Sequence, residues 1–279
     1  MMITNTCATD TSISISAKDK PKFGTKEWSD YSINCVTGCS HDCKYCYAKT
    51  MAIRFERKTP HNWKDEEIRT DQLSKRFLKR KDGKRFMFPT THDITPTNLS
   101  ACVQILTNLL SPGNEGVIVT KPHFECIQAL CEVLPMFKSN FIFRFTIGSS
   151  NSETLIFWEP GAPDFKERLA SLKYAHWKGY QTSVSCEPML DDNIQDVVEQ
   201  VLPYVMETVW IGKPNMLKSR LSMNGHDDEE TMARADSLMQ SLSDQFIWDL
   251  YGRYKDEPKV RWKDSIKRVI GINACSVDL

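Results

Sequence analysis

Short β-branched and aromatic runs alternate along the chain with longer stretches whose apolar residues recur every three or four positions. The runs predict strands over 31–34, 85–88, 116–120, 141–147, 182–185 and 208–211. The stretches predict helices over 47–57, 98–110, 124–137, 165–178, 194–205 and 228–243. The run "GVIVTKP" is compact, β-branched and halted by proline, the profile of a parallel strand buried on both faces. Asp164 ahead of Phe165 and Gly179 behind Lys178 stand where a helix cap and stop belong. Six strand–helix units predict an α/β fold, a parallel sheet curled into a barrel or partial barrel. Chemistry in such folds sits at the C-terminal strand ends, which directs attention to Cys39–Cys46, Thr91–Asp93, Lys121, Ser149–Asn151, Glu187 and Lys213–Asn215.

Composition narrows the class. The chain has 279 residues, 41% of them hydrophobic, enough for one sizeable core. Its 36 basic and 36 acidic residues cancel, so no global positive field draws it to nucleic acid. A local one remains in "KRFLKRKDGKR", seven basic residues in eleven, which reads either as a solvated face or as a phosphate-contacting edge beside the active site. No run of eighteen apolar residues is present, so no membrane partner is expected. The first twenty residues are polar and rich in Ser and Thr, and the expectation is a flexible tail over 1–22, not a signal peptide. That places the chain in a reducing, cytoplasmic setting, where clustered cysteines bind metal more often than they form disulfides.

Four of the ten cysteines fall within positions 35–46. Cys39, Cys43 and Cys46 form C-x3-C-x2-C between a predicted strand and a predicted helix. Three soft thiolates on one short loop suit a [4Fe-4S] cluster with one iron left open for another ligand. Structural zinc normally pairs two knuckles a dozen or more residues apart, and no second C-x2-C occurs here. A redox C-x-x-C leaves Cys39 unexplained. The cluster accounts for all three positions, and the zinc and redox readings stand as alternatives.

C-x3-C-x2-C with an aromatic residue before the last cysteine resembles the signature of the radical S-adenosylmethionine (SAM) superfamily. "GCSHDCKYCYA", "FPTTHDITP", "VIVTKP", "EPGAPDFKERLASLKYAHWKGYQTSVSCEPML" and "WIGKPN", spread in order over about 34–215, are similar to its spore photoproduct lyase-like branch. The resemblance implies a partial (β/α)6 TIM-like barrel over 23–215 and SAM on the open iron. Over 216–279, apolar and basic residues at near-helical spacing, followed by a short strand-like "KVRW", predict a C-terminal helical extension that closes the barrel. It further implies a 5′-deoxyadenosyl radical and an external one-electron reductant such as flavodoxin or ferredoxin. By the same likeness Tyr45 packs near adenine, and Lys121 approaches the SAM carboxylate. Thr91, His92 and Asp93 fall at the SAM-contacting strand end. Ser149 and Ser150 match a polar pair near ribose or carboxylate, and Glu187 reaches the methionyl or ribosyl end.

One departure bears on the reaction. Where the lyase pattern carries a hydrogen-donor cysteine, this chain reads Thr90-Thr91-His92-Asp93, so dimer repair by that route requires Cys186 or Cys126 to take over. The expected substrate is a nucleobase or base-attached group, in DNA or a nucleotide, with Trp158, Trp210, Trp248 and Tyr251 as candidate stacking partners. The alternatives are a peptide or amino-acid-derived metabolite, and a non-catalytic iron–sulfur module that binds nucleic acid.

Overall fold

The structure is a computed structural model that describes residues 24–272; the expected tail over 1–22 and Cys275 lie outside the described residues. Nine strands are formed: β1 (Tyr31–Ser32), β2 (Val36–Thr37), β3 (Glu67–Ile68), β4 (Phe86–Phe88), β5 (Gly116–Thr120), β6 (Phe141–Thr146), β7 (Gln181–Cys186), β8 (Val209–Ile211) and β9 (Val260–Trp262). Seven make one sheet in the order β1-β4-β5-β6-β7-β8-β9, and every pairing in it is parallel. β2 and β3 form a separate antiparallel ribbon.

Between and after the strands run α1 (Tyr47–Arg54), α2 (Thr70–Leu73), α3 (Leu99–Leu110), α4 (Phe124–Val133), α5 (Ser152–Trp158), α6 (Phe165–Trp177), α7 (Ile194–Val201), α8 (Leu217–Met223), α9 (Glu229–Ser241), α10 (Asp244–Tyr254) and α11 (Asp264–Ile270). None of the described helices is long and apolar enough to cross a membrane. The anticipated start of α6 is realised, since the Asp164 carboxylate accepts from the Glu167 amide. Gly179 follows at φ +78°, left-handed backbone that glycine adopts without strain.

Strand periodicity sorts the interior into two layers. On β6, Phe141, Phe143 and Phe145 join Tyr180 in an aromatic cluster, and the Tyr180 hydroxyl donates to the Cys131 carbonyl of α4 at 2.8 Å. That is the helix-facing side. The alternate residues turn to the concave side, where buried Arg144 donates from Nε to Ser183 Oγ at 2.9 Å. The Arg144 guanidinium lies against the paired rings of Trp28 and Trp210, 4.7 and 5.7 Å from their centroids.

Against six expected strands the sheet has seven. The additional one, β9, realises the strand-like run "KVRW" inside the expected C-terminal helical extension and lies parallel to β8. Beside it, fully buried Lys263 contacts Glu27 at 2.5 Å and the Gly24 carbonyl at 2.9 Å. The segment leading into β1 is thereby fastened to the far edge of the sheet.

Candidate active site at the cysteine loop

The cysteine loop leaves β2, crosses the mouth of the sheet and enters α1. Gly38 has φ +94°, and a Cβ there would lie 2.5 Å from the Asp65 carbonyl oxygen, so only glycine fits. The Cys39 amide donates to the Trp63 carbonyl at 2.9 Å, and the buried Trp63 ring packs on Cys39, Ala48 and Ala52. One oxygen of Glu66 accepts from the Ser40 amide and hydroxyl, each at 2.9 Å. Its other oxygen accepts from Thr95 and Asn98 at 2.9 and 3.0 Å. From the opposite side the Gly161 amide donates to the His41 carbonyl at 3.0 Å and the Lys44 amide to the Trp158 carbonyl at 2.9 Å. Two distant segments thus clamp the loop.

The result is a convergence of thiols. Cys39, Cys43 and Cys46 are all free and line one cavity of about 490 Å³ at the C-terminal ends of the strands. Cys46 also caps α1, its Sγ accepting from the Lys49 amide at 3.4 Å. Burial pushes all three thiols up, with Asp93 and the neighbouring thiols adding to the effect at Cys39. Three crowded thiols are stabilised as thiolates by a cationic metal centre, which fits an iron–sulfur cluster held by three cysteines. Among the described residues no fourth cysteine lines the cavity. Cys35 is turned away, its Sγ 3.9 Å from that of Cys102 and its amide donating to His92 Nε2 at 3.2 Å. Ligand atoms of Cys39, His41 and Asp93 also lie within 4.8 Å of one another. A single ion there would leave Cys43 and Cys46 idle, so the three-thiol set describes the site better.

Behind the thiols lies a buried charge network. One Asp93 oxygen accepts from Thr120 Oγ1 at 2.8 Å and from the Lys121 amide at 2.6 Å. The other faces His41 Nδ1 at 3.1 Å and Lys121 Nζ at 3.7 Å. Lys121 Nζ is also 3.9 Å from Glu159, whose carboxylate accepts from the Tyr45 hydroxyl and pairs with Arg168 at 2.5 Å. Burial works against ionisation of Asp93, but Lys121 and His41 outweigh it and hold the carboxyl well below the usual range. Lys121 is raised against burial by this same set of anions. Both its carboxylate contacts exceed hydrogen-bonding distance, so its ammonium can take a further anionic partner in the cavity.

The structure brings Tyr45, Thr91, His92, Asp93, Lys121 and Glu187 to the cavity with the three cysteines. His92 is held at both ring nitrogens: Nε2 accepts from the Cys35 amide, so Nδ1 carries the proton and donates to the Asp93 carbonyl at 2.9 Å. Glu187 faces Lys263 at 3.4 Å. Ser149 and Ser150 are not among the lining residues; Ser149 is buried, bonded to the Asp191 carboxylate and to the Asn151 amide at 2.8 Å. None of Trp158, Trp210, Trp248 and Tyr251 reaches the cavity, whose aromatic lining beyond Tyr45 comes from Trp28, Tyr47 and Trp63. Tyr47 follows the last cysteine directly, a spacing that would have pointed to it; Trp28 had no signal of that kind.

The basic stretch is also displaced from its expected place beside the active site. It precedes β4, and its Arg80 amide is held by Asn114 at 2.8 Å just ahead of β5, so it lies at the N-terminal end of the sheet. The cavity is at the other end.

The fold has counterparts among solved structures. A spore photoproduct lyase variant with bound AdoMet and dinucleoside spore photoproduct superposes with a TM-score of 0.54 at 15% identity, over 89% of this chain and 80% of that one. The chain shares the fold of spore photoproduct lyase. A second variant of the lyase gives a TM-score of 0.54 at 16% identity over the same shares of both chains. By sequence, the chain is 26% identical over 217 residues to the uncharacterized protein ORF301 of Acidianus two-tailed virus, spanning 73% of this chain and 71% of that protein. No family model matches.

Proposed function

We propose that the chain is a radical SAM enzyme acting on a nucleobase, or a group attached to one, in DNA or a nucleotide. In this reading Cys39, Cys43 and Cys46 hold a [4Fe-4S] cluster. When bound, the cluster with SAM on its open iron supplies a 5′-deoxyadenosyl radical able to abstract hydrogen from substrate. The observation that carries the reading is the convergence of three free thiols, two buried and one half-buried, on one cavity at the strand ends of a lyase-like fold. The nucleotide substrate is supported by the dinucleoside photoproduct bound in the similar structures.

The chain's own residues have distinct tasks. Lys121, raised and bracketed at 3.7 and 3.9 Å by Asp93 and Glu159, offers a fixed ammonium to the SAM carboxylate. Tyr45 presents its ring to the cavity while its hydroxyl is anchored on Glu159, a rigid wall for adenine. Thr91 and Asp93 border the same space, and His92, with both nitrogens occupied, fixes the strand end by shape instead of proton transfer. Trp28 and Tyr47 provide faces on which a base can stack.

Dimer repair by a cysteine hydrogen donor is not supported. Thr90 occupies that place in the cavity, and Cys126 and Cys186, both fully buried, are not among the lining residues. A reaction that returns hydrogen from 5′-deoxyadenosine, or that lets the substrate fragment, fits a cavity whose only thiols among the described residues are the three proposed ligands. The electron comes from an external reductant of the flavodoxin or ferredoxin class in a reducing, cytoplasmic setting.

Anaerobic reconstitution followed by electron paramagnetic resonance tests this. The reduced protein should show a [4Fe-4S]⁺ signal that changes on adding SAM and is absent when Cys43 is replaced by Ala. A reconstituted cluster whose signal is indifferent to SAM would contradict the proposal.

A further inference from the structure

Most charged side chains around the cavity already have a partner. Lys121 lies between Asp93 and Glu159, and Glu187 faces Lys263. Even Lys218, on the same helix α8, is paired with Asp236 at 2.8 Å. Exposed Lys26 has no ion pair among the described residues, and the half-buried exception is Arg220. It stands in the last turn of α8 and lines the cavity, and its guanidinium makes no ion pair or side-chain hydrogen bond among the described residues. Its nearest ring is that of Tyr47, with Cζ 6.0 Å from the centroid.

The position is only partly open to solvent, and burial pulls the Arg220 pKa down, countered by Cys46, Glu187 and Tyr47. A guanidinium kept from water without a carboxylate is a costly arrangement unless an anion enters the cavity. Its planar fork suits a two-oxygen anion. Lys213 lines the same cavity, 4.0 Å from Asp244, and adds to the positive side. The stacking surface of Tyr47 lies next to Arg220, so a base resting there would carry its backbone toward the guanidinium.

We propose that Arg220 binds the phosphate of the substrate, and so selects a phosphate-bearing nucleotide over a bare nucleoside or base. The proposal rests on the nucleobase reading above and specifies the substrate class of that site. An oxyanion at Arg220 could also be the SAM carboxylate, and the test separates the two.

Reconstituted protein is titrated calorimetrically with thymidylyl-(3′→5′)-thymidine, with its uncharged methylphosphonate analogue, and with SAM. The charged dinucleotide should bind about tenfold or more tighter than the analogue, the size expected of one charge-assisted pair. Arg220→Gln should remove that difference while leaving the analogue and SAM unaffected, and Arg220→Lys should restore part of it. Loss of SAM binding in Arg220→Gln with the dinucleotide preference intact would assign Arg220 to the cofactor and overturn the proposal. Equal binding of the two dinucleotides by the unaltered protein would overturn it while leaving the nucleotide reading in place. Failure of both to bind the unaltered protein would remove that reading and the proposal with it.

Discussion

At the scale of single residues, the Glu159–Arg168 pair couples stability to the site. Both side chains are fully buried, and Glu159 also anchors Tyr45 and faces Lys121. Burial alone would raise the Glu159 pKa, but Arg168 and Lys121 prevail and lower it. A carboxylate depressed in the folded state gives stability present in full above its unfolded pKa of about 4.3 and lost as pH falls through the lower folded value. Asp93, depressed in the same way, adds to this, so the protein should lose stability progressively below about pH 4. Replacing Glu159 by Gln leaves the Arg168 guanidinium buried without a counter-charge and should cost about 3–5 kcal/mol by denaturant titration. It should also flatten the acid limb of the stability profile. A variant as stable as the parent would show that the pair contributes little. The cysteine trio was legible from spacing alone, as were the strand-end positions of Asp93 and Lys121. Glu66, Trp63 and Glu159 were not, because each acts through a contact with a segment far away in sequence, and no local pattern encodes that.

At the scale of elements, the cysteine loop has little regular structure of its own, and its shape is imposed by the segments on either side. Gly161 is the tightest point: a Cβ there would lie 2.2 Å from the Ser40 carbonyl oxygen and 3.0 Å from His41 Cα. Gly161→Ala should push the loop off its seat, at a cost of about 1–3 kcal/mol. Iron and sulfide per protein should fall well below the parent's after identical reconstitution, while far-ultraviolet circular dichroism stays nearly the same. Full iron content in that variant would mean the loop tolerates displacement. The long amphipathic helices matched expectation best, α6 and α9 within a residue or two of the ranges read from periodicity. Short elements escaped: α5 and α8 have seven residues each, too few to establish a period.

At the scale of the whole molecule, the two ends of the sheet carry different surfaces. The C-terminal end holds the thiols, Lys121 and Arg220, and the N-terminal end holds the basic stretch. Part of that stretch is already neutralised, Arg80 by Asp82 and Arg85 by Glu115. Charge-removing changes at Lys75, Arg76, Lys79 and Lys81 should therefore leave dinucleotide affinity at the cavity unchanged, read by the same calorimetry. A drop comparable to that of Arg220→Gln would mean that the stretch reaches the site after all. The sheet's parallel order was foreseeable from six buried runs. The tie between the segments at its two edges was not, since it depends on Lys263, beside β9, holding Glu27, ahead of β1, across more than two hundred residues of sequence.

The central claim is that these thiols support radical cleavage of SAM, and product analysis tests it most directly. Anaerobically reconstituted protein is reduced with dithionite, given SAM, and assayed for 5′-deoxyadenosine with and without thymine-containing DNA or dinucleotide. 5′-Deoxyadenosine should form, should disappear when any one of Cys39, Cys43 or Cys46 is replaced by Ala, and should form at a different rate when nucleotide is added. A fully loaded cluster that yields no 5′-deoxyadenosine under any of these conditions would contradict it.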